Sequence, residues 1–173
     1  MAVSYRTPTP EDVAALSALG SDTFVEAFGD LYAPKDLKQF LEDAYSPDAI
    51  AQDMANPAMQ YLIAEDAGAM VGYCKIYDGV SLDYDPGGKS LIELKQLYIL
   101  SSHHGAGVAN HMMDWAFDQA ANLNADQMLL SVYSENFRAQ AFYKRHGFSF
   151  HADTIFMVGS HEDHEFLFLK PLK

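Results

Sequence analysis

Two glycines, two residues apart behind an apolar run, are the first place in this chain where residue types and spacing could do chemistry. The segment reads His104-Gly105-Ala106-Gly107-Val108-Ala109 and follows the run Ser90 to Leu100. Glycine lets backbone N–H groups approach a ligand with no side chain intervening. Such groups at a helix N-terminus suit an anion, a diphosphate for instance. The same glycines would also serve a plain strand-to-helix turn. The dinucleotide fingerprint G-x-G-x-x-G would need glycine where Asn110 stands, and would sit on the first strand of a βαβ unit. Gly88-Lys89-Ser90 has the ending of a P-loop, but Asp83 occupies the place of its first glycine and a strand follows rather than a helix. Neither motif fits.

A second candidate is Glu93, a carboxylate inside an otherwise apolar strand (Ser90 to Leu100, SLIELKQLYIL). An unpaired carboxylate there is costly, and burial would raise its pKa and make it a better base. A salt bridge with Lys95 or a strand neighbour, or an outward-facing position, are the alternatives. The histidines invite a metal. However, His103 and His104 are adjacent and point apart on extended chain, His161-x-x-His164 falls in an expected hairpin turn, and no cysteine joins them. A zinc site is not expected.

These residues need elements to hold them. Thr9-Pro10-Glu11-Asp12 reads as a helix start. Apolar Val13, Leu16, Leu19, Phe24 and Phe28 carry one or two helices to about residue 29. A helix over Pro34 to Tyr45 follows, and Ser46-Pro47-Asp48 caps another that stops before Asn56-Pro57. Gln60 to Glu65 and Ala69 to Tyr77 form a hairpin around Asp66-Ala67-Gly68. After a Gly/Asp/Pro loop over 78–90, the strand Ser90 to Leu100 is apolar enough for burial on both faces. A helix to about Asn122, a strand Gln127 to Tyr133, a helix Ser134 to His146 and strands Phe148 to Ala152 and His164 to Leu169 complete the chain. Strand, helix, strand implies a mixed α/β sheet with parallel pairs where helices cross over.

Composition limits what such a sheet serves. The chain has 173 residues, 49% hydrophobic and 20% charged, with 11 Lys+Arg against 24 Asp+Glu and a net charge of −13. One domain over residues 1–173 is expected, burying roughly 70% of its unfolded surface without a disulfide or metal staple. The charge argues against nucleic acid and against an anionic membrane, and it permits a cationic substrate. No apolar run reaches transmembrane length, and the N-terminus has no secretory pattern. Cytoplasmic location is the default. Cys74, the only cysteine, reads as a small core residue.

The junction at residue 104 resembles the acetyl-CoA motif of the GNAT N-acetyltransferase superfamily, Gln/Arg-x-x-Gly-x-Gly/Ala after a buried strand. His104, Gly107 and Ala109 stand at its fixed positions, and His104 replaces the Gln or Arg. A second family motif, Asn-x-x-Ala-x-x-Phe-Tyr-x-x-x-Gly-Phe, is matched in full by Asn136, Ala139, Phe142, Tyr143, Gly147 and Phe148. The resemblance covers roughly residues 58–170. Within the superfamily, the segments around Thr23-Phe24, Gly29-Asp30-Leu31-Tyr32, Ala44-Tyr45-Ser46-Pro47 and Glu93 to Tyr98 are most similar to the spermidine/spermine N-acetyltransferase branch.

The resemblance implies a GNAT-like, mostly antiparallel sheet of about 6–7 strands flanked by helices, with a parallel splayed pair at the acetyl-CoA site. It implies acetyl transfer from acetyl-CoA to a primary amine, a polyamine or other small cationic amine, with no metal. It makes Tyr143 the acid for the leaving thiolate, and Glu93 a base acting directly or through water. The main chain of Leu97, Tyr98 and Ile99 would pair with pantetheine. The turn from His104 through Gly105, Ala106, Gly107 and Val108 to Ala109 would hold the diphosphate. Asn136 would meet the cofactor arm, one of Arg138, Lys144 and Arg145 the ribose phosphate, and Glu26 and Tyr32 would line the acceptor pocket. Acid excess gathered near Glu26 and Glu93 would favour a cationic amine. Two other readings stay open: acetylation of a protein N-terminus or lysine, and a non-catalytic acyl-CoA sensor. Exposed edge strands in such folds often pair, which allows a homodimer.

Overall fold

The computed structural model describes residues 2–173. Strand β1 (Ser4–Arg6) precedes three helices, α1 (Val13–Phe28), α2 (Pro34–Tyr45) and α3 (Pro47–Ala55). Then come β2 (Met59–Asp66), β3 (Ala69–Asp78), β4 (Leu91–Ile99), α4 (Val108–Asn122), β5 (Gln127–Tyr133), α5 (Phe137–Arg145), β6 (Ser149–Val158) and β7 (His161–Pro171). The seven strands make one sheet in the order β1-β2-β3-β4-β5-β7-β6. Every neighbouring pair is antiparallel except β4 and β5. The mixed sheet and its one parallel pair agree with the sequence reading.

Local chemistry explains the element ends. The Thr9 N–H donates to the Asp12 carboxylate at 2.7 Å, and Ser46 Oγ accepts from the Ala49 N–H at 3.2 Å to start α3; both supply helix-start donors with partners. The β2–β3 turn is tight because Ala67 and Gly68 both take positive φ, 50° and 82°, as a two-residue hairpin turn requires.

Two boundaries differ from the sequence reading. Helix α5 starts at Phe137 rather than Ser134, because Asn136 caps it with its side-chain oxygen, 3.1 Å from the Ala139 N–H. The last hairpin is longer than expected: β6 and β7 run to Val158 and from His161, turning at Gly159 (φ 58°) and Ser160. His161 and His164 therefore lie on a strand rather than in a turn. Three residues apart, they face opposite sides of the sheet.

Each face carries its own core. Val108, Met112, Met113, Ala116 and Ala120 of α4 pack on Leu62, Cys74, Ile76, Ile92, Met128 and Leu130. On the other face Leu16, Leu19, Phe24 and Ile50 of the N-terminal helices pack on Tyr61, Ile63 and Tyr73. Val80, Leu82 and Tyr84 from the 79–90 loop cover Leu91, Leu129 and Leu167 on that second face.

Candidate active site

The sheet opens at its parallel pair. β4 and β5 are in register only at Leu91–Gln127, Ile92–Met128 and Glu93–Leu129. Beyond Glu93 they diverge. The cause is visible on the opposite edge of β4: β3 steps from Lys75–Gln96 to Ile76–Leu94, which leaves Lys95 as an extra residue. Such a bulge bends its strand and breaks the alternation of side chains. Lys95 and Gln96 accordingly both serve the second face. Lys95 Nζ lies 2.9 Å from Ser81 Oγ, and Gln96 Nε2 donates to the Tyr45 hydroxyl at 3.1 Å. The edge of β4 facing β5 is thus left without a strand partner along Leu97, Tyr98 and Ile99, whose other edge pairs with Cys74, Tyr73 and Gly72.

The double-glycine turn sits at the tip of this free edge. Gly105 and Gly107 have φ of 80° and 83°, a region costly for residues with a Cβ. A Cβ on either would meet no atom within 4 Å. The cradle is open in front of the first turn of α4, where Val108 is buried, Ala109 half-buried and Ala106 exposed.

His104 has a role here that the motif comparison left vacant. Its Nε2 lies 2.9 Å from the Ile99 carbonyl oxygen, and its Nδ1 lies 2.5 Å from an Arg138 guanidinium nitrogen. One tautomer serves both: Nε2–H donates to Ile99, and Nδ1 accepts from Arg138. A cation from α5 is thereby held beside the turn. Arg145 lies at the far end of α5, its guanidinium 5.9 Å from the Phe142 ring centre.

Tyr143 projects from α5 into the α4 face of the core. Burial pushes its phenol well up, with the neighbouring Cys74 adding to the effect. Burial likewise raises the Tyr98 phenol, and negative charge on Tyr143, Glu165 and Tyr32 would raise it further. Negative charge on Tyr45 would do so as well; Tyr98 packs against the second-face core, its ring centre 5.9 Å from that of Tyr73.

Glu93 lies 3% exposed. Its carboxylate accepts from the Ser81 N–H at 2.7 Å and from Ser81 Oγ at 2.8 and 2.9 Å. Lys95 Nζ stands 3.7 Å away. The salt-bridge alternative for Glu93 is therefore present, and the residue ties the 79–90 loop to the sheet. Replacing it with alanine strands the Ser81 N–H beneath the loop, a cost of about 1–3 kcal/mol. We expect that loss in urea unfolding, without loss of the folded state.

Glu26 is also occupied: it accepts from the Ser101 N–H at 3.0 Å and Ser101 Oγ at 3.2 Å, fixing the end of β4 to α1. Tyr32 is buried, and its hydroxyl donates to Asp163 Oδ2. Asp163 Oδ1 lies 3.1 Å from His161 Nε2. Asp163 and Glu165 of β7 add acid on the face of the sheet that carries Tyr32 and Tyr133. Glu165 pairs in register with Tyr133, and burial raises its carboxyl above the ordinary value. Phe28 lies edge-on to Tyr133, ring centres 6.1 Å apart. The sequence reading missed Glu165. Its only signal was an acid at alternating spacing with Asp163 and Leu167 in a strand assigned to start at His164.

Among the described residues, no group of three or more His, Cys, Asp or Glu is placed to hold a metal ion, and no helix is long and apolar enough to cross a membrane. A separate cleft of about 510 Å3 lies between α1 and α2, lined by Ser17, Leu37, Leu41 and Tyr45 among others. None of the candidate catalytic, cofactor-binding or acceptor-pocket residues lines it.

A sheet split at one parallel pair, with an open glycine turn at the tip of the first strand, defines a group-transfer enzyme of the acetyltransferase class. The chain belongs to the acetyltransferase (GNAT) family, whose model matches residues 23–148. It is 29% identical over 161 residues, 93% of this chain and 98% of the relative, to an uncharacterized N-acetyltransferase of Mycobacterium tuberculosis H37Rv. It shares its fold with the PaiA N-acetyltransferase from Thermoplasma acidophilum, solved in complex with coenzyme A: TM-score 0.80, 16% identity, 99% of both chains covered. It also shares its fold with a chain of the NatC complex bound to Gag peptide and CoA, at TM-score 0.67 and 18% identity, each chain covered fully.

Proposed function

We propose that this enzyme moves the acetyl group of acetyl-CoA to a primary amine on a small cationic molecule. The observation that carries this reading is the opening between β4 and β5. It lies between an open glycine turn at the tip of β4 and an acidic, aromatic face formed by Tyr32, Tyr133, Asp163 and Glu165, with Tyr143 packed from α5 on the α4 face. The residues present fit acetyl-CoA. The cradle at Gly105 and Gly107 is open to solvent, the free edge of β4 offers main-chain partners to pantetheine, and Arg138 brings positive charge to a protein of net −13. Where the motif has Gln or Arg, His104 holds Arg138 of α5 beside the turn. Asn136 spends its oxygen on the helix cap, so its NH2 is the group that would meet the cofactor arm.

Acetyl-CoA supplies an activated acyl group and a thiolate leaving group. Tyr143, kept protonated by burial, serves as the acid that donates to that thiolate. N–H groups near the end of β4 can stabilise the oxyanion formed on the way. Asp163 and Glu165, with Tyr32, Tyr98 and Tyr133, make the acceptor face electronegative, as an ammonium group requires. A thiol-release screen over polyamines, amino acids, aminoglycosides and peptides tests the reading. Turnover led by polycationic small amines supports it. Turnover confined to peptides makes the enzyme a protein acetyltransferase, and acetyl-CoA binding with no turnover makes it a sensor.

A further inference from the structure

Glu165 differs from the other carboxylates that this fold takes out of water. Asp53 has Lys75 Nζ at 2.6 Å. Glu93 has Ser81 and Lys95. Asp163 has Tyr32 and His161. Glu165 is half-buried on the same side of the sheet as Leu167 and Asp163, and no lysine or arginine among the described residues forms an ion pair with it. Its surroundings are Ser131 and Tyr133 on β5, Asp163 on β7, Thr154 opposite on β6, Tyr98 on β4 and Tyr32 from the turn after α1. Ser131 hydrogen-bonds to it, Asp163 is an acid, Tyr32 and Tyr133 are each hydrogen-bonded to an acid, and none of the six is a cation. A carboxylate held in such a place without a counter-ion is costly. A cationic ligand would remove that cost.

Its position also suits the chemistry. The last β4–β5 pair is Glu93–Leu129; allowing for the extra residue Lys95, Tyr98 on β4 and Tyr133 on β5 stand level across the split. Tyr98 packs against the second-face core, and Glu165 is the register partner of Tyr133 on the far side. A substrate nitrogen in front of Tyr98 would have Glu165 on one side and the acyl group on the other. We infer that Glu165, rather than Glu93, is the carboxylate that binds the acceptor's ammonium group and takes its proton. This rests on the acetyl-transfer reading above and names the base within it. An N–H bond of the ammonium breaks and an O–H bond forms on Glu165. The freed lone pair attacks the thioester carbonyl carbon to form the C–N bond. The C–S bond then breaks, and the thiolate takes the Tyr143 proton. The acylated nitrogen sheds its second proton, which restores the Tyr143 phenol. Glu165 passes its own proton to solvent, so each turnover releases one proton with the amide and the thiol.

The test compares Glu165→Gln and Glu93→Gln with the wild type, in the full chain, using the best amine of the screen. For Glu165→Gln we expect kcat/KM for the amine to fall on the order of 10²- to 10⁴-fold. The acid limb of its pH profile should vanish and the KM for acetyl-CoA should stay within about twofold. Glu93→Gln should keep the acid limb. Thermal unfolding separates a base from a structural group. The folded-state carboxyl is raised, so wild-type stability falls as pH rises through that raised value, and Glu165→Gln escapes the fall. Its Tm at neutral pH should equal or exceed the wild type's. A retained acid limb in Glu165→Gln, or its loss in Glu93→Gln, overturns the inference and leaves acetyl transfer standing. A wild-type chain that turns over no amine removes the acetyl-transfer reading and this assignment with it.

Discussion

Tyr143→Phe lowers kcat on the order of 10²-fold or more while leaving acetyl-CoA affinity within about twofold. The magnitude is that of a positioned proton donor. The separation of kcat from affinity follows from where the hydroxyl is needed. The ring packs among Phe142, Phe148 and the α4-face core, and phenylalanine keeps that packing. Only the O–H is lost, and it matters when negative charge develops on sulfur. Burial keeps the phenol protonated across the neutral range, so its loss should lower the rate at every pH there rather than displace the profile. Stopped-flow thiol release and calorimetric titration with acetyl-CoA measure the two quantities. An unchanged kcat would remove Tyr143 as the acid.

Gly107→Val weakens acetyl-CoA binding about tenfold or more. The substitution meets no steric obstacle, because a Cβ there has nothing within 4 Å. Its effect must come through the backbone. At φ 83° a β-branched residue is strained by about 1–2 kcal/mol, and relaxing that strain turns the N–H groups of the cradle away from the diphosphate. A side chain would also fill the space the phosphates need. Gly88→Val is the control, since Gly88 has φ 85° and equally open surroundings. It carries the same backbone penalty in the 79–90 loop, away from the cradle. Equal loss of affinity in both variants would mean that the effect is a general loss of stability and that the turn does not bind phosphate.

Much of this arrangement was legible in the sequence. Helix starts at Pro34 and Pro47, the turn at Ala67-Gly68 and the strand-to-helix junction at residue 107 are written in local chemistry, and the structure has each of them; at Pro10 it has a single 3-10 turn over Pro10–Asp12 that leads into α1 at Val13. The partners of Glu93 and Glu26 were not legible. Both carboxylates are held by serines, Ser81 and Ser101, and the Glu26 partner is 75 residues away. Nothing in either local segment announces such a contact. The bulge at Lys95 is a register difference between two strands and has no signature of its own in SLIELKQLYIL. Glu165 was hidden for a related reason. The alternation of β7 begins at His161, and starting the strand at His164 conceals that Asp163, Glu165 and Leu167 share one face. The His104 substitution was legible as a departure from a motif, but its consequence appears only when α5 brings Arg138 to within 2.5 Å.

The central claim is the location of the site: acetyl-CoA enters the opening between β4 and β5 and rests its phosphates on the 104–109 turn. Amide hydrogen exchange on the full chain, with and without saturating acetyl-CoA, tests this most directly. The account predicts slowed exchange in residues 97–109 and in residues 136–143, with little change in α2 and α3. Protection confined to the cleft between α1 and α2, with residues 97–109 exchanging as they do in the free protein, would contradict it.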